Sequence, residues 1–241
     1  MTIVWNTTVV GTADSTQDLA RRAAQAGEKE GYAVQAMQQT KGRGRHGNEW
    51  DSPMGNLYLS ALLRPKNAPN DIGQMGFVVA LALSAAMDPY IDPAKNTKTL
   101  KWPNDILIDD LKVSGILLET AMKENGTLDW LIVGTGVNIF APPEGRIGLD
   151  NIKIKPVFVN VFRDEYLERL GHYYDLWQEK GFAPIREEWL QQAHGLGRPL
   201  KVRLPEVSYA GNFEGINETG ALLLKADGAI RTFTAGDVHF G

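Results

Sequence analysis

Seven consecutive residues combine three glycines with four side chains that can carry positive charge. They are Lys41-Gly42-Arg43-Gly44-Arg45-His46-Gly47, and no acidic residue follows before Glu49. Glycine lets the backbone adopt positive φ and come close to a ligand. Arginine presents a planar, always-charged fork that suits carboxylates and phosphates. This combination predicts a flexible loop that closes over an anion.

Gly42, Gly44 and Gly47 also match G-x-G-x-x-G, the spacing of dinucleotide-binding turns. That fingerprint opens a helix whose N-terminus holds the pyrophosphate. Residues 48–55 instead contain tryptophan, proline and glycine and show no helical period. The dinucleotide interpretation is therefore rejected. A P-loop is excluded as well, because no Gly-Lys-Ser or Gly-Lys-Thr occurs in the sequence.

The composition excludes several kinds of protein and of functional site. The chain has 241 residues, 43% of them hydrophobic and 22% charged, with a formal net charge of −4 and no cysteine. That charge gives no long-range attraction to nucleic acid, and the missing cysteines exclude disulfides, thiol catalysis and Cys-based zinc sites. No signal peptide is recognisable, and the most apolar segment, Ile72 to Met87, is shorter than the ~20 residues of a membrane span. We expect a cytoplasmic protein.

The pattern along the chain predicts an α+β fold, a mostly β sheet with a few helices rather than a regular β-α-β alternation. Strands are expected at 3–10, 32–38, 56–63, 106–108, 112–122 and 128–140, and helices near 15–26, 71–87, 156–179 and 185–193. A tight hairpin is expected around Asp109-Asp110. Short strands after Arg198 predict a small β-barrel. With the boundary at Gly195–Gly197, the domains are 1–194 and 195–241.

Three further segments place polar residues at strand ends or glycines inside strands. Lys101-Trp102-Pro103-Asn104-Asp105 ends a strand in a turn, Lys112 opens a strand that contains Gly115, and Gly134-Thr135-Gly136-Val137-Asn138 interrupts another. Glycines inside strands often mark close backbone approach. Each segment alone is compatible with an ordinary turn or an exposed side chain. Their order along the chain is more specific than any one of them.

Together with the Gly-Arg-Gly-Arg loop, these segments resemble the biotin protein ligases, the biotin–[acetyl-CoA-carboxylase] ligases. The resemblance also includes Ser15-Thr16, Gln39 and residues 50–60, and it covers nearly the whole chain. It implies a class II synthetase-like catalytic domain with a mixed, mostly antiparallel sheet, followed by an SH3-like β-barrel. It also implies that biotin attacks the α-phosphate of ATP, giving biotinyl-5′-AMP. A lysine of a biotin carboxyl carrier domain then displaces AMP.

The resemblance implies roles for individual residues. Biotin binding is implied for Ser15, Thr16, Gln39, Gly42, Arg43, Arg45, Lys112, Gly115 and Gly136. ATP or adenylate binding is implied for Trp50, Asn104, Lys112 and Asn138. Catalytic roles are implied for Arg43, Arg45, Lys112 and Asp105. The cations would stabilise charge on the phosphorus oxygens, and Asp105 would orient the incoming amine. Mg²⁺ is expected to enter with ATP near Asp105 rather than at a dedicated protein site.

Two residues depart from the family pattern. Gln17 stands where the family usually has asparagine, and it is expected to shift the geometry at the start of the first helix. Asn48 stands where the loop often continues with a basic residue. Its neutral side chain removes positive charge near the adenylate, so weaker retention of the intermediate is expected.

Other functions stay open at this point. A lipoate or octanoate ligase or transferase shares the catalytic fold by resemblance, although the loop and the 101–105 turn favour biotin. An anion- or RNA-binding module built on the loop is disfavoured by the net charge of −4 and by the absence of a wider basic face. Because the first strand starts near residue 3, no helix-turn-helix is expected. Neither DNA nor a membrane is therefore expected as a partner, and a monomer or a homodimer is expected.

Overall fold

The computed structural model describes residues 3–66 and 69–240. Its larger part is a seven-stranded sheet in the order β1-β2-β3-β7-β6-β5-β4. The strands are β1 (Asn6–Ala13), β2 (Tyr32–Gln39), β3 (Leu57–Leu63), β4 (Lys98–Lys101), β5 (Asp105–Ile108), β6 (Leu111–Met122) and β7 (Leu128–Val137). β1 and β2 are parallel, and the other neighbours are antiparallel. The predicted mixed, mostly antiparallel sheet is confirmed.

The hairpin between β5 and β6 follows the expected turn chemistry. Asp109 and Asp110 have φ of 50° and 65°, the left-handed pair typical of the tightest antiparallel connections. Short polar residues tolerate this region because their side chains can hydrogen-bond locally. In this turn the carboxylate of Asp109 instead accepts hydrogen bonds from the segment before β4, from Thr97 N at 2.8 Å and Asn96 Nδ2 at 2.7 Å. Further along the hairpin the register shifts between Ile106 and Leu107, and this shift brings Asp105 opposite Gly115.

The α-helices of the described chain are α1 (Thr16–Gln25), α2 (Met75–Met87), α3 (Leu149–Ile152), α4 (Val159–Lys180) and α5 (Phe182–Gln191). α1 packs against β2, β3 and β7, whereas α2, α4 and α5 pack against one another. The amphipathic pattern of 156–179 corresponds to α4, which begins three residues later than expected. Phe158 is its N-cap residue and is 61% exposed, so the first aromatic of the pattern does not join the core.

Helix α2 is buried on nearly all sides. With its flanking turns, the helical segment Asp71–Tyr90 has 20 residues and a mean hydropathy of 1.3, enough by length and composition to cross a membrane. The expectation that this segment is too short to span a membrane is therefore wrong. The share of its apolar window buried inside the fold is 78%, and it contacts α4 and the strands β4, β5 and β6. Burial, rather than length, identifies α2 as a core helix.

The C-terminal domain is an antiparallel sheet of five strands in the order β11-β10-β9-β8-β12. The strands are β8 (Pro199–Arg203), β9 (Ser208–Ile216), β10 (Leu222–Ala226), β11 (Ala229–Phe233) and β12 (Asp237–Phe240). The run of short strands after Arg198 is confirmed. Closure of this sheet into a barrel stays a prediction, because β11 and β12 stand at the two ends of the strand order.

The C-terminal domain shares its hydrophobic core with the large sheet. Phe213 of β9 belongs to the same buried cluster as the side chains of α2 and β6. Trp102, in the turn between β4 and β5, donates its indole N–H to the carbonyl of Gly220 at 3.1 Å. Leu100 of β4 also hydrogen-bonds through its backbone to residues 192 and 194, which follow α5. The turn after β4 is therefore held against the C-terminal domain.

Replacing Trp102 by phenylalanine is expected to destabilise the protein, because the buried carbonyl of Gly220 would lose its donor. An unpaired buried acceptor costs about 1–3 kcal/mol. Trp5→Phe is the matched control, since Nε1 of Trp5 is buried and has no hydrogen-bond partner within residues 3–66 and 69–240. Urea unfolding should show a larger loss of stability for the Trp102 variant. Equal losses would mean that the hydrogen bond contributes nothing.

Candidate active site

A cavity of about 610 Å³ opens between the large sheet, the cationic loop (residues 41–47) and the C-terminal domain. Its volume suits a small-molecule site. Its wall is formed by the start of α1, the end of β2, strands β6 and β7, the turn after β4 and the loop after β7. Asp237 of β12 also lines it. Every site residue predicted from the sequence lines this cavity except Gly42. The tertiary structure thus brings together segments that are far apart in the chain.

The cationic loop is a short hairpin. Trp50 N donates to Gly42 O at 3.0 Å, and Gly44 N donates to Asn48 O at 2.7 Å. The tip is a single 3-10 turn at Arg45–Gly47. Gly42 lies at the base, where an added methyl group would lie 2.3 Å from Trp50 O. A side chain there would collide with Trp50 and Ser52, so this close packing at the base of the hairpin requires glycine.

Polar residues at the start of α1 form a hydrogen-bonded network with the base of this hairpin. Thr16 donates through both N and Oγ1 to Gln39 Oε1, at 2.8 and 3.1 Å. Gln39 Nε2 donates to Ser52 Oγ at 3.0 Å, and Ser52 Oγ donates to Trp50 O at 2.8 Å. Ser15 is the N-cap residue of α1 but makes no capping hydrogen bond with its side chain. Its hydroxyl is therefore not used by the helix.

Gln17 lies next to this network and is 3% exposed. The Ser60 hydroxyl lies 2.8 Å from both Gln17 Oε1 and Thr16 Oγ1. The glutamine side chain packs on Gly134, where an added methyl group would lie 2.8 Å from Gln17 Cδ. The longer amide is accommodated because this position of β7 has no side chain.

The indole of Trp50 lies across β6 and β7. Methyl groups built on Gly136 and Gly115 would lie 2.5 and 2.8 Å from its ring atoms. The sequence predicted that these glycines admit a ligand close to the sheet. The group that approaches them in the structure is Trp50 itself. Lys112 Nζ lies 5.4 Å from the ring centre, within the range of a favourable cation–π contact.

Arg45 and Lys112 form the charged end of the cavity. Lys112 Nζ lies 2.6 Å from Asp105 Oδ1, and the two side chains are about one-fifth exposed, at 19% and 21%. Arg45 Nη1 donates to Asn104 Oδ1 at 3.0 Å, so the hairpin tip reaches the turn after β4. Burial lowers the pKa of Arg45, while the charges of Asp237 and Asp105 raise it. The guanidinium stays charged, because an arginine is not deprotonated in proteins.

Arg43 lines the same cavity, but its guanidinium is already paired. It donates to both carboxylate oxygens of Asp18, at 2.9 and 2.8 Å. Its Nη2 also lies 3.6 Å from Glu119 Oε1. The two arginines of the loop therefore have different surroundings, since Arg43 faces carboxylates and Arg45 contacts a neutral amide.

Several cavity or network residues were not anticipated as site residues from the sequence. Asp237 comes from the C-terminal domain, and Arg146 reaches the site because its backbone bridges to Lys112. No local pattern marks either residue. Ser60 did carry a signal, because it is a polar residue inside an otherwise apolar strand. Ser52 carried none, and its role depends on the hairpin that brings it to Gln39.

Apart from Asp105 Oδ1, which is paired with Lys112, three buried polar atoms of residues in the cavity wall have no hydrogen-bond partner in the described chain. They are Gln17 Nε2, Trp50 Nε1 and Asn138 Oδ1. An unpaired buried donor or acceptor costs about 1–3 kcal/mol, so a ligand that pairs with them is favoured. Within residues 3–66 and 69–240, no group of three or more His, Cys, Asp or Glu could hold a metal ion. The cavity suits a ligand that is polar at one end and anionic at the other.

Comparisons with known proteins agree with this chemistry. The Biotin/lipoate A/B protein ligase family matches residues 10–138, and the biotin protein ligase C terminal domain matches residues 195–241. A biotin–[acetyl-CoA-carboxylase] ligase of Paracoccus denitrificans is 37% identical over 218 residues, which cover 86% of this chain and 90% of that protein. The bifunctional ligase/repressor BirA of Escherichia coli is 29% identical over 217 residues, 87% of this chain and 66% of that protein.

Solved structures show the same architecture. The biotin protein ligase from Aquifex aeolicus in complex with biotin and ATP has a TM-score of 0.83 and 30% identity, covering 98% of this chain and 99% of that one. The enzyme from Leishmania major in complex with biotinyl-5-AMP has a TM-score of 0.67 and 25% identity, covering 95% and 99%. The fold, the composition of the cavity and these similarities agree, and the chain belongs to the biotin protein ligases of the Biotin/lipoate A/B protein ligase family.

Proposed function

We propose that this chain is an ATP-dependent biotin ligase that forms biotinyl-5′-AMP and transfers biotin to a lysine of a carrier domain. The observation that carries this proposal is one cavity with a polar network at one end and two cations, Arg45 and Lys112, at the other. The Paracoccus relative is named as a ligase of this kind. The Aquifex neighbour is a complex with biotin and ATP.

The polar end of biotin is assigned to the wall around the start of α1. The ureido ring presents two N–H donors and one carbonyl acceptor. Ser15 has a hydroxyl that the helix does not use, and Thr16 and Gln39 are held at fixed positions by their mutual hydrogen bonds. Gln17 adds an unpaired donor. A ring of complementary donors and acceptors can pair with these groups at little cost in conformational entropy.

The first chemical step brings two anions together. A carboxylate oxygen of biotin attacks the α-phosphorus of ATP, the bond to the bridging oxygen breaks, and pyrophosphate leaves. Arg45 and Lys112 offset the repulsion and the charge that develops on the phosphorus oxygens. Both are held in place beforehand, Arg45 by Asn104 and Lys112 by Asp105. Such preorganised charges contribute most where water is partly excluded.

The nucleotide is assigned to the side of the cavity formed by Trp50, Asn104, Asn138 and Arg146. The Trp50 indole offers a flat surface for the adenylate, and Asn138 Oδ1 is an unpaired acceptor for an amino group. Mg²⁺ would enter with the phosphates and keep several waters. That fits a wall in which Asp105 is a carboxylate next to the phosphate-binding lysine.

The second step uses a lysine amine of a biotin carboxyl carrier domain as nucleophile. The amine attacks the carbonyl carbon of the mixed anhydride, the amide bond forms, and AMP leaves. Asp105 is assigned the role of orienting the amine, because its carboxylate lines the cavity beside Lys112. No covalent intermediate with the protein is required.

The purified protein is expected to catalyse biotin-dependent exchange of labelled pyrophosphate into ATP, because the first step is reversible while pyrophosphate is present. It should also transfer biotin to the lysine of a carrier domain. Both are measured by following the label. Failure of the wild-type protein to exchange pyrophosphate at saturating biotin and MgATP would refute the proposal.

Arg45→Ala and Lys112→Ala are each expected to lower kcat for pyrophosphate exchange by about 10²–10³, the usual effect of removing one electrostatic stabiliser of a transition state. Lys41→Ala is the matched control. Lys41 is a cation of the same loop, but its side chain is 73% exposed and paired with Asp14, so near wild-type activity is expected. Near-normal adenylation in both site variants contradicts the assigned roles.

Lipoate is expected to be a poor substrate, because its dithiolane ring has no N–H or carbonyl group to pair with the network around Thr16 and Gln39. A polar site that loses its partner groups discriminates strongly, here by at least about a hundredfold in kcat/KM. The measurement is pyrophosphate exchange with lipoate in place of biotin, alone and in competition. Exchange at comparable rates with both acids would favour the lipoate ligase alternative.

A further inference from the structure

Arg43 is tied to helix α1 by a bidentate ion pair. Its Nη1 and Nη2 lie 2.9 and 2.8 Å from Oδ2 and Oδ1 of Asp18. Paired parallel N–H···O bonds of this kind fix orientation as well as distance. Asp18 lies in the first turn of α1, the same turn that carries Thr16. The first turn of α1 therefore binds the hairpin through Asp18 and also carries Thr16 at the polar end of the cavity.

A second arginine and a glutamate complete a closed network. Arg21 lies 3.1 Å from Asp18 Oδ1 and 2.5 Å from Glu119 Oε2, and Glu119 Oε1 lies 3.6 Å from Arg43. Two cations and two anions thus alternate, with side chains 23–37% exposed. Networks with bidentate geometry contribute more than isolated surface pairs. The hydrogen bond from Arg43 is the main cause of the lowered pKa of Asp18.

Arg45 has no comparable partner. Among the described residues, no ion pair within 4.0 Å includes Arg45, and its Nη1 contacts the neutral amide of Asn104. The positive charge of Arg43 is balanced by carboxylates in direct contact with it, whereas the charge of Arg45 faces the cavity and is influenced only by the more distant carboxylates of Asp237 and Asp105. Arg43 and Arg45, separated by one glycine, therefore differ in whether a carboxylate contacts the guanidinium.

We propose that Arg43 is a positioning residue whose ion pair with Asp18 anchors the hairpin to α1, while Arg45 is the arginine that contacts the reacting anions. The anchor sets the position of the hairpin base, and through it the positions of Arg45 at the tip and Trp50 at the far side. This reassigns Arg43 from the catalytic group that the family resemblance implied. The kinetic part of the inference rests on the proposed function, but the anchoring itself does not.

The experiment compares Asp18→Asn with Asp14→Asn. Both aspartates flank the start of α1 and both pair with a loop cation, but the Asp14–Lys41 pair is exposed, at 59% and 73%. Asp18→Asn is expected to raise the KM for biotin about tenfold, or about 1.4 kcal/mol, with kcat for pyrophosphate exchange changed less than about twofold. Asp14→Asn should match wild type. Asp18→Glu, which keeps the carboxylate, should recover part of the loss.

A second readout needs no activity. The amides of Gly44 and Trp50 are hydrogen-bonded within the hairpin, so their hydrogen exchange without ligand should be faster in Asp18→Asn than in wild type or Asp14→Asn. If wild type lacks pyrophosphate exchange but this difference is seen, the proposed function fails and the anchor stands. Unchanged amide exchange in Asp18→Asn overturns the anchor.

A double-mutant cycle separates positioning from direct contact. If Arg43 acts through Asp18, the variant Arg43→Gln with Asp18→Asn should have the same KM for biotin as either single variant, since coupled residues are not additive. If Arg43 instead touches the phosphates, Arg43→Gln will lower kcat by about tenfold or more even in the Asp18→Asn background. That result would overturn the inference.

Discussion

The active site depends on holding positive charge in place across an open cavity before its anionic ligands arrive. The hairpin that carries the charge is fixed at two points, by Arg43 to Asp18 of α1 and by Arg45 to Asn104 of the turn after β4. Without these contacts a glycine-rich segment would lose much conformational entropy on binding. That conformational entropy is lost when the chain folds, so in the proposed reaction the cations need little further ordering to contact a carboxylate and a phosphate.

The C-terminal domain takes part in this arrangement through the turn after β4. Trp102 hydrogen-bonds to Gly220, and the two domains share one hydrophobic cluster. The turn that bears Asn104 and Asp105 is therefore supported from the far side. Asp237 brings a carboxylate of the same domain to the cavity, where its charge acts on Arg45. The positions of Arg45 and Lys112 in the cavity thus depend on packing between domains as well as on the loop.

The predicted segments were recognisable because each has a local physical cause. Glycines beside arginines mark the loop, alternating apolar residues mark the strands, and Asp109-Asp110 marks a tight turn. Contacts between side chains that are distant in the sequence have no local pattern that predicts them. Asp18 looked like an acidic residue that suits the first turn of a helix, and only the fold shows that its carboxylate binds Arg43. Only the fold shows that Trp50 lies against Gly115 and Gly136, the two glycines expected to let a ligand approach the sheet.

The sequence by itself determined the α+β class and the approximate positions of the main strands and helices, because these follow from local pattern and spacing. The family and the candidate site residues came from the resemblance of several short motifs, in their order along the chain, to the biotin protein ligases. The tertiary structure decided which charges are free and which are paired. Arg43 and Arg45 are equivalent in the sequence, and they differ only because one lies beside Asp18 and Glu119 and the other beside Asn104. Electrostatic roles depend on distances between residues remote in the chain, and folding alone sets those distances.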